Sequence, residues 1–384
     1  TALSALVIII FFIPYTASGF AACGKLFNSL FGINYQVAMM LSALLIVGYT
    51  ITGGFNAVCV TDLVQSIVMT GALAIVLIYG ISSAGGWTAV MDNAAALPGY
   101  LSLTSTFDVA SGSEVKYNFL TIFSTAAWGL GYFGMPHILV RFMAIEDEKK
   151  LVLSRRIASV WVVIAMTAGV LIGIVGLGMT KAGALETLTG SNSETIIVRI
   201  AGIISQHNAL TALIAGIILA GILAATMSTA DSQMLAAASG VSQNIVHDFL
   251  KIKISEKTNL LIARLTIVGI AIVSIFLARN PNSSVFKIVS FAWAGFGGAF
   301  GAVVLCSLFW KRCNLAGAIA GIISGGATVF IWKYLIRPLG GILDIYELLP
   351  AFIVSLIFII VVSLLTKAPD EEIVREFEAA SQKA

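Results

Sequence analysis

The sequence predicts an all-α polytopic membrane protein, and three observations predict it. Of its 384 residues, 59% are hydrophobic and only 11% are charged, a balance that no ordinary soluble domain carries. Apolar runs long enough to cross a bilayer recur from one end of the chain to the other. The charges gather in the short polar stretches between those runs.

About ten spans follow, near 3–27, 35–55, 57–81, 118–143, 158–180, 208–239, 259–279, 285–310, 315–336 and 350–366. The first begins at Thr1 inside an apolar run with no basic leader, which reads as a shortened N-terminus rather than a cleavable signal peptide. Lys149, Lys150, Arg155 and Arg156 share one loop; Lys251, Lys253 and Lys257 share a second; Lys311 and Arg312 share a third. Alternating spans put all three on one side, which the positive-inside rule makes cytoplasmic, together with the C-terminal tail. Outside lie 82–117, rich in Gly, Ser, Asp and Thr, and 181–207, where Gly190-Ser191-Asn192-Ser193-Glu194 signals a turn or cap. Inside, 145–157 is a charged hinge and 241–258 alternates as an interfacial amphipathic helix does. One transmembrane domain, 1–366, is thus followed by a solvated, mixed-charge tail, 367–384.

Several classes are excluded by what these residues lack. The net charge of +3 is too small to speak of nucleic acid. Cys23, Cys59, Cys306 and Cys313 form no CxxC pair and read as packing residues. His137, His207 and His247 are scattered, so no histidine metal cluster forms, and neither a phosphate loop nor a cysteine–histidine pair points to an enzyme. No organic cofactor is expected.

Two segments carry chemistry. Ala224-Ala225-Thr226-Met227-Ser228-Thr229-Ala230-Asp231-Ser232-Gln233 places hydroxyls and a carboxylate at the inner end of an otherwise apolar helix. Polar groups at membrane depth are costly unless something inside the protein uses them. A small cation fits, since Ser228 and Thr229 offer adjacent hydroxyls and the Ala225 carbonyl lies one turn earlier. The alternative is that the hydroxyls bond back to their own helix. Asp231 reads as a cap or gate partner at the cytoplasmic end. The second segment is Trp128-Gly129-Leu130-Gly131-Tyr132-Phe133-Gly134-Met135-Pro136. Three glycines and a proline weaken a helix within the membrane, and such interruptions mark either a transporter's binding site or a kinked packing helix.

These residues resemble a known family. Tyr49-Thr50-Ile51-Thr52-Gly53-Gly54-Phe55 and Lys311-Arg312-Cys313-Asn314-Leu315-Ala316-Gly317-Ala318, leading into Gly321, are similar to the two signatures of the sodium/solute symporters. The run 126–143, the run Phe291-Ala292-Trp293-Ala294-Gly295-Phe296-Gly297-Gly298-Ala299-Phe300-Gly301 and the late Glu347-Leu348-Leu349-Pro350 resemble the family's sodium/proline branch. The resemblance covers essentially the whole chain. It implies a leucine-transporter-type fold of two inverted five-helix repeats, here starting at the third core helix, so that the first helices and half of the sodium site are lacking. It implies sodium-coupled import of L-proline by alternating access at the cell (inner) membrane.

Residue by residue, the resemblance assigns Ala225, Ser228 and Thr229 to sodium and Asp62 to the sodium exit route, a place where a plain N-terminal dipole partner fits too. Trp128, Tyr132 and Pro136 fall at i, i+4 and i+8, on one face of a continuous helix. They would hold the solute's ring and ammonium, with Trp293 lining the same cavity; an aromatic packing stripe is the alternative. Arg141 and Arg264, near cytoplasmic helix ends, either snorkel or pair with an acid as gates. Within the class, pantothenate or a monocarboxylate could replace proline. From another class, a symporter-like membrane sensor is the rival, although no kinase or receiver region follows the last span.

Overall fold

The computed structural model describes residues 1–383, with side chains through residue 380. Helix α1 (Ala2–Phe31) crosses first and ends on Gly32 in the left-handed conformation, φ 66°. Asn34 then caps α2 (Tyr35–Ser83), its Oδ1 accepting from the backbone N–H of Gln36. That 49-residue helix holds two of the expected spans end to end, broken at Gly54, where φ 68° and ψ 179° require a residue without a Cβ.

The segment after α2 adds α3 (Trp87–Ala95) and a hairpin of β1 (Ser105–Asp108) and β2 (Ser113–Lys116), antiparallel with Ser105 opposite Lys116. The chain is otherwise helical, as expected. A sheet this small is stable only where water or protein meets its open edges, hence in a loop and not in lipid.

The expected span 118–143 is interrupted, as its glycines and proline foretold. It consists of α4 (Phe119–Ala126), a tighter 3-10 stretch over Ala127–Gly134, and α5 (Pro136–Met143), with Pro136 at the first turn of α5. Next come α6 (Leu151–Lys181), α7 (Ile196–Ser205) and α8 (Ala209–Ser239), the last started by a capping box between Asn208 and Thr211. Helix α8 runs on in wider π-type turns over Gly240–Phe249. The interfacial helix expected over 241–258 therefore stops early, at Lys251 with φ 53°. Then follow α9 (Glu256–Leu277), α10 (Val285–Phe296), a π-type stretch Gly297–Gly301, α11 (Ala302–Phe309), α12 (Leu315–Ile331), α13 (Leu348–Leu365) and the tail helix α14 (Glu371–Lys383). Residue 384 of the expected tail lies outside the described residues.

Among the described residues, eight helices are long and apolar enough to cross a membrane. Dividing α2 at Gly54 and adding the interrupted α4–α5 segment recovers the expected crossings. The core lies where α1, α2, α8 and α10 meet, around Phe11, Phe12, Phe20, Met39, Ile46 and Phe296. The rings of Phe12 and Phe296 stand 4.6 Å apart. A second core, around Val76, Ile172, Met179, Ile200 and Ile218, joins α2, α6, α7 and α8. Apolar residues such as Leu44 and Ile78 remain 71% exposed, as a lipid-facing surface requires.

Candidate functional site

The hydroxyl run of α8 sits about 30 Å along the helix from its Asn208 cap, toward the far side of the bilayer. Ser228 Oγ and Thr229 Oγ1 both donate to the Ala225 carbonyl, at 3.2 and 3.0 Å. The back-bonding alternative is thus realised. It uses the hydroxyl protons and leaves the oxygen lone pairs free. Ala225, Ser228 and Thr229 border a cavity of about 270 Å³ that Asp62, Gln65 and Arg141 also line.

Arg141 closes one wall of that cavity. Its Nη2 pairs with Asp62 Oδ2 and donates to Ser232 Oγ at 2.8 Å, while Nη1 donates to the His137 carbonyl at 2.7 Å. Asp62 Oδ1 and Gln65 Oε1 are buried and have no hydrogen-bond partner among the described residues. The structure therefore brings Asp62, Arg141 and the three expected cation ligands around one space. Arg264 stands apart, exposed on α9 with no ion pair among the described residues.

Asp231 occupies a different place from the one expected. It is fully buried within α8 rather than at its end. Tyr49 Oη donates to its Oδ2 at 2.7 Å and Ser232 N–H to its Oδ1 at 2.6 Å. Sequence reasoning missed Tyr49, although a polar pair, Tyr49-Thr50, inside an apolar span was the available signal.

The aromatic residues of the interrupted segment gather on α10. The Trp128 ring stacks on Trp293 at 5.2 Å, on Phe286 at 5.6 Å and on Tyr346 at 5.7 Å. Trp293 Nε1 donates to the Trp128 carbonyl at 3.0 Å, and Tyr132 meets the Trp293 ring edge-on at 4.8 Å. Phe286 and Tyr346 carried no signal in the sequence.

The shared face expected for Trp128, Tyr132 and Pro136 does not form. Over Ala127–Gly134 the chain turns with three residues per turn, so an i, i+4 spacing rotates away from one face. Trp128 and Tyr132 consequently approach Trp293 from different directions. Pro136 starts α5 and lines another cavity, of about 550 Å³, with His137, Val140 and Arg141.

Residues 1–325 match the sodium:solute symporter family. The chain is 40% identical to the osmoregulated proline transporter OpuE of Bacillus subtilis (strain 168), over 97% of this chain and 72% of that protein. It is 38% identical to the sodium/proline symporter of Staphylococcus aureus, over 96% of this chain and 70% of that protein. A solved structure of a Na+-coupled sialic acid symporter, substrate-bound and outward-open, superposes with a TM-score of 0.72 at 18% identity, covering 96% of this chain and 75% of its own. That likeness bears out the leucine-transporter-type fold.

Proposed function

Starting from the sodium:solute symporter family, to which this chain belongs, we propose that it is a secondary transporter importing L-proline with sodium across the cell membrane. No bond is made or broken, so the activity is transport and not catalysis. The observation that carries the reading is the group of oxygens on α8. Three neutral donors from one turn, the Ala225 carbonyl and the hydroxyls of Ser228 and Thr229, stand at membrane depth on a cavity that also holds a carboxylate.

Such oxygens suit an alkali cation, which is held by carbonyls and hydroxyls without a full countercharge. Asp62, on the same cavity, serves the cation's exit. Arg141 acts as an inner gate by pairing with it, because a guanidinium and a cation compete for one carboxylate. Arg264 has no acid to pair with among the described residues, and its place supports snorkelling. Trp128, Tyr132 and Trp293 form an aromatic wall suited to the pyrrolidine ring and its ammonium. Pro136 contributes by setting the break that opens this wall, not as part of it. The proline substrate follows from the curated relatives, whose names are those of proline transporters. The C-terminal tail lies in the cytoplasm, on the side of the basic loops.

Sodium bound on α8 would order the outward-open arrangement; joint occupancy with proline would favour closure and inward release. The test is labelled proline uptake into proteoliposomes with and without an imposed sodium gradient. Uptake should rise with the gradient, and equal uptake in both conditions rejects the coupling. Replacing Ser228 and Thr229 together by alanine should raise the sodium needed for half-maximal uptake at least ~10-fold, the equivalent of one lost charge-assisted contact.

A further inference from the structure

Helices α1 and α6 are both long and apolar enough to span a bilayer, and both end beside one cavity of about 470 Å³. Ser29 and Leu30 line it from the last turn of α1, Glu186 from the chain just beyond α6, and Arg199 from α7. The cavity therefore lies where two spans leave the apolar layer, at the depth of lipid head groups. Two polar atoms of its lining are unmet. Ser29 Oγ and Arg199 Nε are buried and have no hydrogen-bond partner among the described residues. A buried donor left unmet costs the desolvation of that group, and native structures keep few of them. Arg199 Nη1 stands 3.4 Å from Glu186 Oε1, the two side chains being 40% and 64% exposed. An ion pair so exposed contributes only ~0–1 kcal/mol and opens readily. Snorkelling accounts for an arginine at the end of a bundle, but not for an Nε withdrawn from water.

The unmet groups are donors and suit an oxyanion, while Glu186 beside them suits an ammonium. We propose that this cavity binds the head group of a phospholipid carrying a primary ammonium next to its phosphate diester, as phosphatidylethanolamine does. The phosphate oxygens accept from the Arg199 fork and the Ser29 hydroxyl, since a planar guanidinium is shaped for two-point contact with phosphate. The ammonium takes over the Glu186 carboxylate, so opening the original ion pair leaves neither partner without a countercharge. The acyl chains have an apolar surface to follow. Phe31, next to Leu30 on α1, is 60% exposed and stacks on Phe27 with ring centroids 6.0 Å apart. One bound lipid would thus join the end of α1, the chain after α6, and α7.

The test uses the full chain, stripped of lipid in detergent, with melting temperature followed as ligand is added. Dioctanoyl phosphatidylethanolamine should raise it saturably. Dioctanoyl phosphatidylcholine has no N–H to offer Glu186, and the phosphatidylglycerol analogue has no ammonium. Each should therefore need about tenfold more for half the effect. Soluble O-phosphoethanolamine distinguishes a lipid from a free phosphate ester: it should shift melting little at the same concentration, and equal potency overturns the lipid assignment. Arg199→Gln should raise the half-saturating concentration of phosphatidylethanolamine at least ~10-fold, as loss of a hydrogen bond to a charged group predicts. Ser29→Ala should raise it about 3- to 10-fold, and this smaller change decides the matter if the Arg199 variant does not fold. Glu186→Gln should erase the preference for ethanolamine over choline while binding persists. An unchanged half-saturating concentration in a folded Arg199 or Ser29 variant, or equal potency of the three lipids on the unaltered chain, overturns the proposal and leaves Arg199 as a snorkelling side chain.

Discussion

Asp62 and Arg141 show how much a single pair decides. The Asp62 side chain is only 19% exposed and has one oxygen on Arg141 and the other without a partner among the described residues. Removing the guanidinium leaves a largely buried carboxylate without its countercharge, which is worse than removing both partners. Arg141→Gln should therefore destabilise the protein by about 2–3 kcal/mol, read as a drop in melting temperature in detergent. The double variant Asp62→Asn/Arg141→Gln should recover about 1 kcal/mol or more of that loss. Strictly additive losses would mean that the two side chains act independently. Neither partner was paired with the other in the sequence, because 79 residues separate them and the packing of α2 and of α5 against α8 brings them together. The same distance problem hid Tyr49 and Asp231, which lie 182 residues apart.

Elements were far more legible than contacts. Hydropathy is a one-dimensional property, so the spans, the interruption at 127–136 and the solvated tail could be read from composition alone. What the glycines do could not. Gly131 and Gly134 stand where α10 and the stretch 297–301 come closest, a Cβ on Gly134 meeting the backbone of Phe296 and Gly301. The segment is thus both an interruption and a close-packing surface. Helix periodicity also misled there, since it assumes 3.6 residues per turn and the chain tightens to a 3-10 path.

A paired substitution tests this seam. A Cβ at Gly325 of α12 would run into the Gly298 backbone, which has no rotamer with which to yield, whereas a Cβ at Gly169 of α6 meets nothing within 4 Å. Gly325→Ala should cost about 1–3 kcal/mol through overpacking. Gly169→Ala should be neutral or stabilising by up to ~1 kcal/mol, because alanine is the better helix former. Equal melting temperatures for the two variants would remove close packing as the reason for the glycine seam.

At the scale of the whole molecule, three distant parts are tied at one end of the helix bundle by one carboxylate. Glu194, in the turn before α7, accepts from Lys25 Nζ of α1 at 2.8 Å, from Ser284 Oγ at 2.7 Å, and from the backbone N–H groups of Val285 and Phe286 at 3.0 and 3.2 Å. Burial alone would push its carboxyl upward, but these four donors outweigh burial and hold it below the usual glutamate range. A carboxyl whose native value is depressed adds stability that is fully present above its unfolded value of about 4.3 and fades as pH falls through the lowered native one. Glu194→Gln should therefore melt well below the unaltered protein at pH 7, and the two should converge once the pH drops below about 4. Melting curves in detergent between pH 7 and 3 make the comparison, and a gap that stays constant across that range would assign the loss to packing instead of charge. The knot matters beyond stability because of what it joins. Helix α1 carries Thr16, which orients Gln233, and α10 carries Trp293, on which the aromatic wall is built. Holding the ends of those two helices in register also fixes where the Trp128–Trp293 stack stands relative to α1; on the proposed reading of that stack as the solute's wall, a protein loosened at Glu194 should also bind solute less tightly at pH 7.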